Sequence, residues 1–113
     1  MSLTIFVPSK DRPAQLRLLL QSIRDNLPVD EISSILIGYK YSTHEFREGY
    51  EKLRQEKILP NIDWCFEFCA TKNFIDDILL FQSEYMLLLT DDTFVYRYVP
   101  TLEPAISLLR EHP

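Results

Sequence analysis

Tyr85-Met86-Leu87-Leu88-Leu89-Thr90-Asp91-Asp92-Thr93 is the stretch that decides the fold. Its first five residues are apolar on both parities, the pattern of a central strand covered by helices on both faces of a parallel sheet. The run passes without a spacer into polar Thr90-Asp91-Asp92-Thr93. Upstream, Lys72 to Gln82 reads as a helix with Phe74, Ile75, Ile78, Leu79 and Phe81 facing inward. Before that, Ile62, Trp64, Phe66 and Phe68 alternate with Asp63, Cys65 and Glu67, which predicts a strand at a sheet edge. Downstream, an extended piece over Phe94 to Val99 leads to a last helix carrying Leu102, Ile106 and Leu109.

The first half of the chain repeats the alternation. Leu3-Thr4-Ile5-Phe6-Val7 is a β-branched and aromatic run ended by Pro8, a buried strand. Pro13 suits the first turn of a helix, and Leu16, Leu19, Leu20, Ile23 and Leu27 follow at helical spacing until Pro28. Ile32 to Tyr39 is a second strand. Ser42-Thr43-His44-Glu45 has the form of a capping box. Phe46, Tyr50 and Leu53 mark the apolar face of the helix behind it, which Gly49 weakens without forbidding. Strands alternating with helices predict an α/β domain with a largely parallel sheet.

The chain has 113 residues, room for one domain spanning 1–113. A chain of that size buries roughly two-thirds of the surface its unfolded form exposes. Its apolar share of 46% and charged share of 26% are those of an ordinary globular protein, which excludes disorder. With 12 Lys+Arg against 17 Asp+Glu and no basic cluster, neither a duplex nucleic-acid binder nor a basic membrane-surface helix is expected. No signal peptide is visible, and the apolar run Met86 to Leu89 is too short to span a bilayer. Cys65 and Cys69, extended on one strand, would lie ~13 Å apart, too far for a disulfide. Reduced thiols place the chain in the cytoplasm. His44 and His112 lie at spacings unrelated to the cysteines, so a zinc site is not expected.

Two glycines, Gly38 and Gly49, cannot make a dinucleotide-binding or P-loop fingerprint. In open α/β sheets ligands bind beyond the carboxyl ends of the strands. Two segments at such ends turn polar: Pro8-Ser9-Lys10-Asp11-Arg12, leading to a helix start, and Thr90-Asp91-Asp92-Thr93. Were their strands neighbours, an acidic pair would face a helix-start loop, an arrangement suited to magnesium or manganese with phosphate oxygens completing the shell. The plainer readings are a strand-ending turn for the aspartates and solvated surface for Lys10, Arg12 and Lys72. His44 reads as helix surface. Ser9 lacks the glycines of a hydrolase nucleophile elbow. Tyr96 and Tyr98 are expected to pack under the last helix, with a ligand-paving surface as the other reading.

Leu3-Thr-Ile-Phe-Val-Pro-Ser-Lys-Asp-Arg-Pro13, followed by Gln15-Leu-Arg-Leu-Leu-Leu20, resembles the opening of family 2 glycosyltransferases of the GT-A fold. Ala70-Thr-Lys-Asn73 is similar to the Ala-Arg-Asn that opens the family's third helix. Glu84-Tyr-Met-Leu-Leu-Leu-Thr-Asp-Asp92 is similar to its fourth strand and the D-x-D element. The resemblance covers nearly the whole chain in the family's order. It implies a Rossmann-like α/β/α sandwich with strand order 3-2-1-4, the nucleotide-diphospho-sugar-binding N-terminal part of a longer enzyme. That enzyme would be a glycosyltransferase of the hexosyltransferase type, moving a sugar from its donor to an acceptor hydroxyl.

Carried over residue by residue, the resemblance implies that Pro8, Ser9 and Arg12 hold base and ribose, and that Lys72 lies near the donor. It further implies that Asp91 contacts the nucleotide and that Asp92, with Asp91 second, holds Mn2+ or Mg2+ on the diphosphate. Where the family usually ends its second strand with Asp-Asp-Gly-Ser, whose acidic residue reads uracil, this chain has Tyr39-Lys40-Tyr41-Ser42. The acceptor half should follow the D-x-D region, so no catalytic base is assigned here. Two other readings stand beside this one: an inactive GT-A-like binding or scaffolding module, and a nucleotidyltransferase of related fold, which lacks its glycine-rich phosphate loop here. Surface left bare by a missing half would favour self-association.

Overall fold

The computed structural model describes residues 2–66 and 83–112. In chain order the elements are β1 (Leu3–Lys10), α1 (Pro13–Asn26), a 3-10 turn (Val29–Glu31), β2 (Ser34–Lys40), α2 (His44–Glu56), β3 (Ile62–Phe66), β4 (Tyr85–Leu88) and α3 (Glu103–Glu111). The four strands form one sheet in the order β3-β2-β1-β4 with every pairing parallel, as expected. The expected helix over Lys72 to Gln82, with Lys72 itself, Phe68 and Cys69, lies outside the described residues. Cys65 is half-buried on β3.

β1 is the spine. Leu3 through Val7 are all buried: β2 and β4 pair the strand along both edges, and Leu3, Ile5 and Val7 join the core packed on one face. Ile5 and Val7 join Ile35 and Ile37 of β2 in a core completed by Leu16, Leu19, Leu20 and Ile23 of α1 and Tyr50 and Leu53 of α2. These are the positions that the 3.6-residue period marked. Phe6 and Leu36 are buried too, with side chains on the opposite parity of their strands. Tyr85 and Leu87 of β4 and Leu89 just beyond it pack against the main core, and Leu102 joins them where α3 begins.

Several expectations are corrected. β1 does not stop at Pro8 but continues to Lys10. Phe6 carbonyl accepts the Leu89 amide, so the even positions of β1 address β4 with their backbone, and the β4 pairing ends at Phe6↔Leu88. The N–H that Pro8 lacks would therefore face a place with no strand to bond, and a proline is tolerated there. β4 is an edge strand in this sheet, and its double-sided cover is absent among the described residues: Met86 is 37% and Leu88 55% exposed. β3 is an edge strand as expected.

Tyr96 and Tyr98 do not pack under the last helix; both are more than 70% exposed. The segment carrying them is held instead by α1. Ser22 Oγ accepts the Val95 amide at 3.0 Å, Asn26 Nδ2 donates to Val95 carbonyl at 2.6 Å, and Val99 N–H donates to Asn26 carbonyl at 2.6 Å. Of the apolar residues expected to line α3, Ile106 is buried but Leu109 is exposed.

The α2 cap lies one residue later than the capping box placed it. Thr43 is the N-cap and its Oγ1 accepts the Phe46 amide at 3.3 Å, whereas Ser42 is engaged by another loop. His44 is thus the first residue of α2. It is exposed and paired with Glu48 one turn on, with Nε2 2.9 Å from Oε1. No helix among the described residues is long and apolar enough to cross a membrane.

Candidate functional site

The strand order reverses between β1 and β4: chain connections run from β1 outward through β2 and β3, and β4 returns to the other side of β1. At such a reversal the connecting loops part and leave a crevice beyond the carboxyl ends of the strands. The loops meeting there are the two that the sequence singled out. β1 delivers Ser9 and Arg12, and the turn after β4, closed by Thr93 N–H to Thr90 carbonyl at 3.0 Å, delivers Asp91 and Asp92.

Asp91 is the buried member of the pair. Its Oδ2 accepts from Ser9 Oγ at 3.0 Å, and its Oδ1 lies 3.8 Å from Arg12 Nη1. Burial pushes its pKa up, while the Ser9 hydrogen bond and the Arg12 charge pull the other way. Asp92 is exposed, with Oδ1 accepting from Thr90 Oγ1 at 2.6 Å and Oδ2 4.0 Å from the same Arg12 Nη1. That hydroxyl, more than any other cause, holds the Asp92 pKa below the usual carboxylate range. One guanidinium therefore stands between two carboxylates, close enough to balance them yet too long for tight bidentate bonds.

Ser9 is buried, with its oxygen 2.7 Å from the hydroxyl of Tyr50. That hydroxyl also accepts the backbone amide of Arg12 at 3.0 Å. The apolar spacing of α2 marked Tyr50 only as a core ring, and nothing in the sequence revealed that its hydroxyl would reach the first loop. Pro8 is half-buried at the mouth of β1, level with Gly38. Lys10 and Lys40 end their strands as register partners, both exposed. The described residues thus bring Pro8, Ser9, Arg12, Asp91 and Asp92 to one edge of the sheet, and Lys72 lies outside them.

Asp11 was not anticipated as a site residue. It sits in the left-handed region at φ 56°, where aspartate and asparagine are tolerated better than most residues. Its amide donates to Lys40 carbonyl at 3.1 Å, and its carboxylate accepts Ser42 N–H at 2.7 Å and Ser42 Oγ at 2.6 Å. The Ser42 hydroxyl in particular holds the Asp11 carboxyl below its ordinary pKa. The loops after β1 and β2 are clamped together in this way. Asp11 also puts a carboxylate beside the end of β2, where Tyr39-Lys40-Tyr41-Ser42 carries none. The turn-forming residue type was the available signal.

Aromatic rings line the β2–β3 side of the same edge. Tyr41 and Phe66 stack with centroids 4.8 Å apart, and Tyr39 lies 5.5 Å from Phe66. Phe66 is 47% exposed, so its ring offers an apolar face to solvent near the strand ends.

Asp91 and Asp92 both lie within 4.0 Å of Arg12 Nη1, and hard divalent cations in general take one or two protein carboxylates with phosphate oxygens and water. No group of three or more His, Cys, Asp or Glu that could hold a metal ion occurs among the described residues. A cation seated here would therefore need a ligand to complete its shell.

The sequence matches no protein-family model and no curated protein. Among solved structures, the fold is similar to S. aureus TarS residues 1–349 in complex with UDP-GlcNAc, at TM-score 0.68 and 21% identity over 99% of this chain and 32% of that one. It is likewise similar to TarS 1–349 in complex with UDP, at TM-score 0.66 and 21% identity over 99% of this chain and 33% of that one. A longer TarS structure gives TM-score 0.62 and 22% identity, with 99% of this chain and 20% of that one covered. At such identity the likeness establishes the fold, a Rossmann-like GT-A unit. The chain spans about a third of TarS 1–349.

Proposed function

We propose that this chain is the nucleotide-sugar-binding unit of a glycosyltransferase, with the crevice between β1 and β4 as the donor site. The observation carrying this reading is the convergence of Ser9, Arg12, Asp91 and Asp92 at the point where strand order reverses. Support comes from the shared fold with TarS, which binds UDP-GlcNAc and UDP in its crystals. In this reading Pro8, Ser9 and Arg12 hold the nucleoside. Asp92, exposed at the crevice, is the principal ligand of Mn2+ or Mg2+, with Asp91 second and Lys72 near the donor. The cation would neutralise the departing diphosphate as a Lewis acid.

The chain's own residues divide the remaining work. Arg12, half-exposed and only loosely paired with its two carboxylates, is placed to turn its fork of donors to the nucleoside. Ser9 holds Asp91 in place by donating to Oδ2. The sugar would pass from the nucleoside diphosphate to an acceptor hydroxyl supplied beyond this unit.

Titration calorimetry with ADP, CDP, GDP and UDP, each with and without Mn2+, tests the proposal on the unaltered chain and on Asp92→Ala. Manganese-dependent binding of one diphosphate, weakened at least tenfold by the substitution, is the expected result. Silence across the panel would overturn the reading and leave an inactive GT-A-like module.

A further inference from the structure

Tyr50 is fully buried on α2, yet its hydroxyl is not spent on the core. It accepts the Arg12 amide at 3.0 Å and meets Ser9 Oγ at 2.7 Å. Ser9 in turn meets Asp91 Oδ2 at 3.0 Å. A hydroxyl has one proton to give, and an ionised carboxylate can only accept. With Asp91 ionised, the Ser9 proton must point at Asp91, so the hydroxyl pair is joined by the proton of Tyr50. The chain then has one direction: Arg12 N–H to Tyr50 oxygen, Tyr50 O–H to Ser9 oxygen, Ser9 O–H to Asp91.

Burial, above all other causes, raises the phenol pKa of Tyr50, so it keeps the proton this direction requires. Buried polar side chains left without a partner are absent among the described residues, and Tyr50 partners both Ser9 and the Arg12 amide. Ordered chains of this kind polarise each member and suppress alternative rotamers. Without the phenol, Ser9 has a proton to give but no donor to fix its rotamer.

We propose that Tyr50 is a positioning residue for the donor site, acting through Ser9 to hold the Asp91 carboxylate toward the crevice. The assignment rests on the nucleotide-sugar reading above. Tyr50 touches no ligand; its effect on affinity passes through the serine. The ring, 5.1 Å from that of Tyr39, belongs to the packing, and only the hydroxyl belongs to the site.

The test is a four-protein comparison: the unaltered chain, Tyr50→Phe, Ser9→Ala and the double variant. Each is melted thermally and titrated with Mn2+ plus ADP, CDP, GDP or UDP. Phenylalanine retains the ring, so all four proteins are expected to fold. Tyr50→Phe should weaken diphosphate binding by up to about tenfold when Ser9 is present, the scale of one neutral hydrogen bond. In the Ser9→Ala background the same change should cost less than about twofold, because the residue through which it acts is gone. An equal loss in both backgrounds, or a lowered melting temperature with unchanged affinity, would overturn the positioning role and leave Tyr50 as packing. If the unaltered chain binds none of the four diphosphates, the nucleotide reading falls and takes this assignment with it. Binding by the unaltered chain with no effect of Tyr50→Phe removes this assignment alone.

Discussion

Gly49→Ala sets two well-known effects against each other at a place where the structure decides between them. In a helix interior alanine is favoured over glycine by ~1 kcal/mol, so propensity alone predicts a more stable protein. Yet a methyl group at Gly49 would stand 2.7 Å from Pro13 Cγ and 3.1 Å from Pro13 Cβ. To regain ordinary contact at 3.4 Å the helix and the ring must part by about 0.7 Å. The proline ring is short and fixed at the start of α1, so the strain falls on the packing of α1 against α2. Overpacking of this kind costs ~1–3 kcal/mol, which outweighs the propensity gain and leaves a net loss of ~1 kcal/mol. For a domain near this size that lowers the melting temperature by ~4–8 °C.

The displacement also reaches the site. Tyr50 follows Gly49, so a shift of α2 away from Pro13 also draws the Tyr50 hydroxyl off Ser9 Oγ, the contact through which it acts on Asp91. Gly49→Ala should therefore weaken manganese-dependent diphosphate binding more than a core variant of equal instability, such as Ile106→Val. Thermal melts and calorimetry on the two variants make the comparison. A rise in melting temperature of several degrees, with affinity intact, would refute the argument and show that propensity governs this position.

Two further outcomes are expected. The Asp11 carboxyl, held down by Ser42, contributes stability that is present above the ordinary aspartate range and lost as pH falls below that range through its lowered pKa. Asp11→Asn, which tolerates the left-handed backbone, should therefore flatten the fall in urea midpoint on acidification from pH ~5 to ~3; an unchanged slope would dismiss the clamp. Ser22→Ala removes the acceptor of the part-buried Val95 amide and should cost ~1 kcal/mol, with faster hydrogen exchange at Val95. Exchange at Val95 that stays slow would show that Asn26 alone holds the segment.

Alternation of periods placed most elements correctly because it records which faces are wetted, a local property. The Leu-rich spacing of α1 is of this kind and carried over into the fold; the alternation in β3 holds for Ile62, Asp63 and Trp64, whereas Phe66, on the apolar parity, is exposed and Cys65, on the polar one, is half-buried. Errors arose where a neighbour decided the outcome. Tyr85 to Leu89 looked double-sided, but how much of a strand is covered depends on what packs against it, and Leu88 is largely exposed. Pro8 looked like a terminator, yet β1 runs past it because β4 ends first. Ser42 looked like a cap, but Asp11 claimed it from another loop and Thr43 took over.

The candidate site divides in the same way. Its residues could be named from sequence, since Pro8, Ser9, Arg12, Asp91 and Asp92 each follow an apolar run that announces a strand end. Sequence alone also determined the alternating α/β plan, because hydrophobic period and turn residues act over a few positions. What only the tertiary structure decided was the contact between those ends. Ser9 and Asp91 are 82 positions apart, and Tyr50 lies 41 from Ser9. Their hydrogen bonds exist because strand order brings β4 beside β1 and packing presses α2 against the first loop. Contacts of that range depend on how the elements assemble, and local pattern carries no record of them.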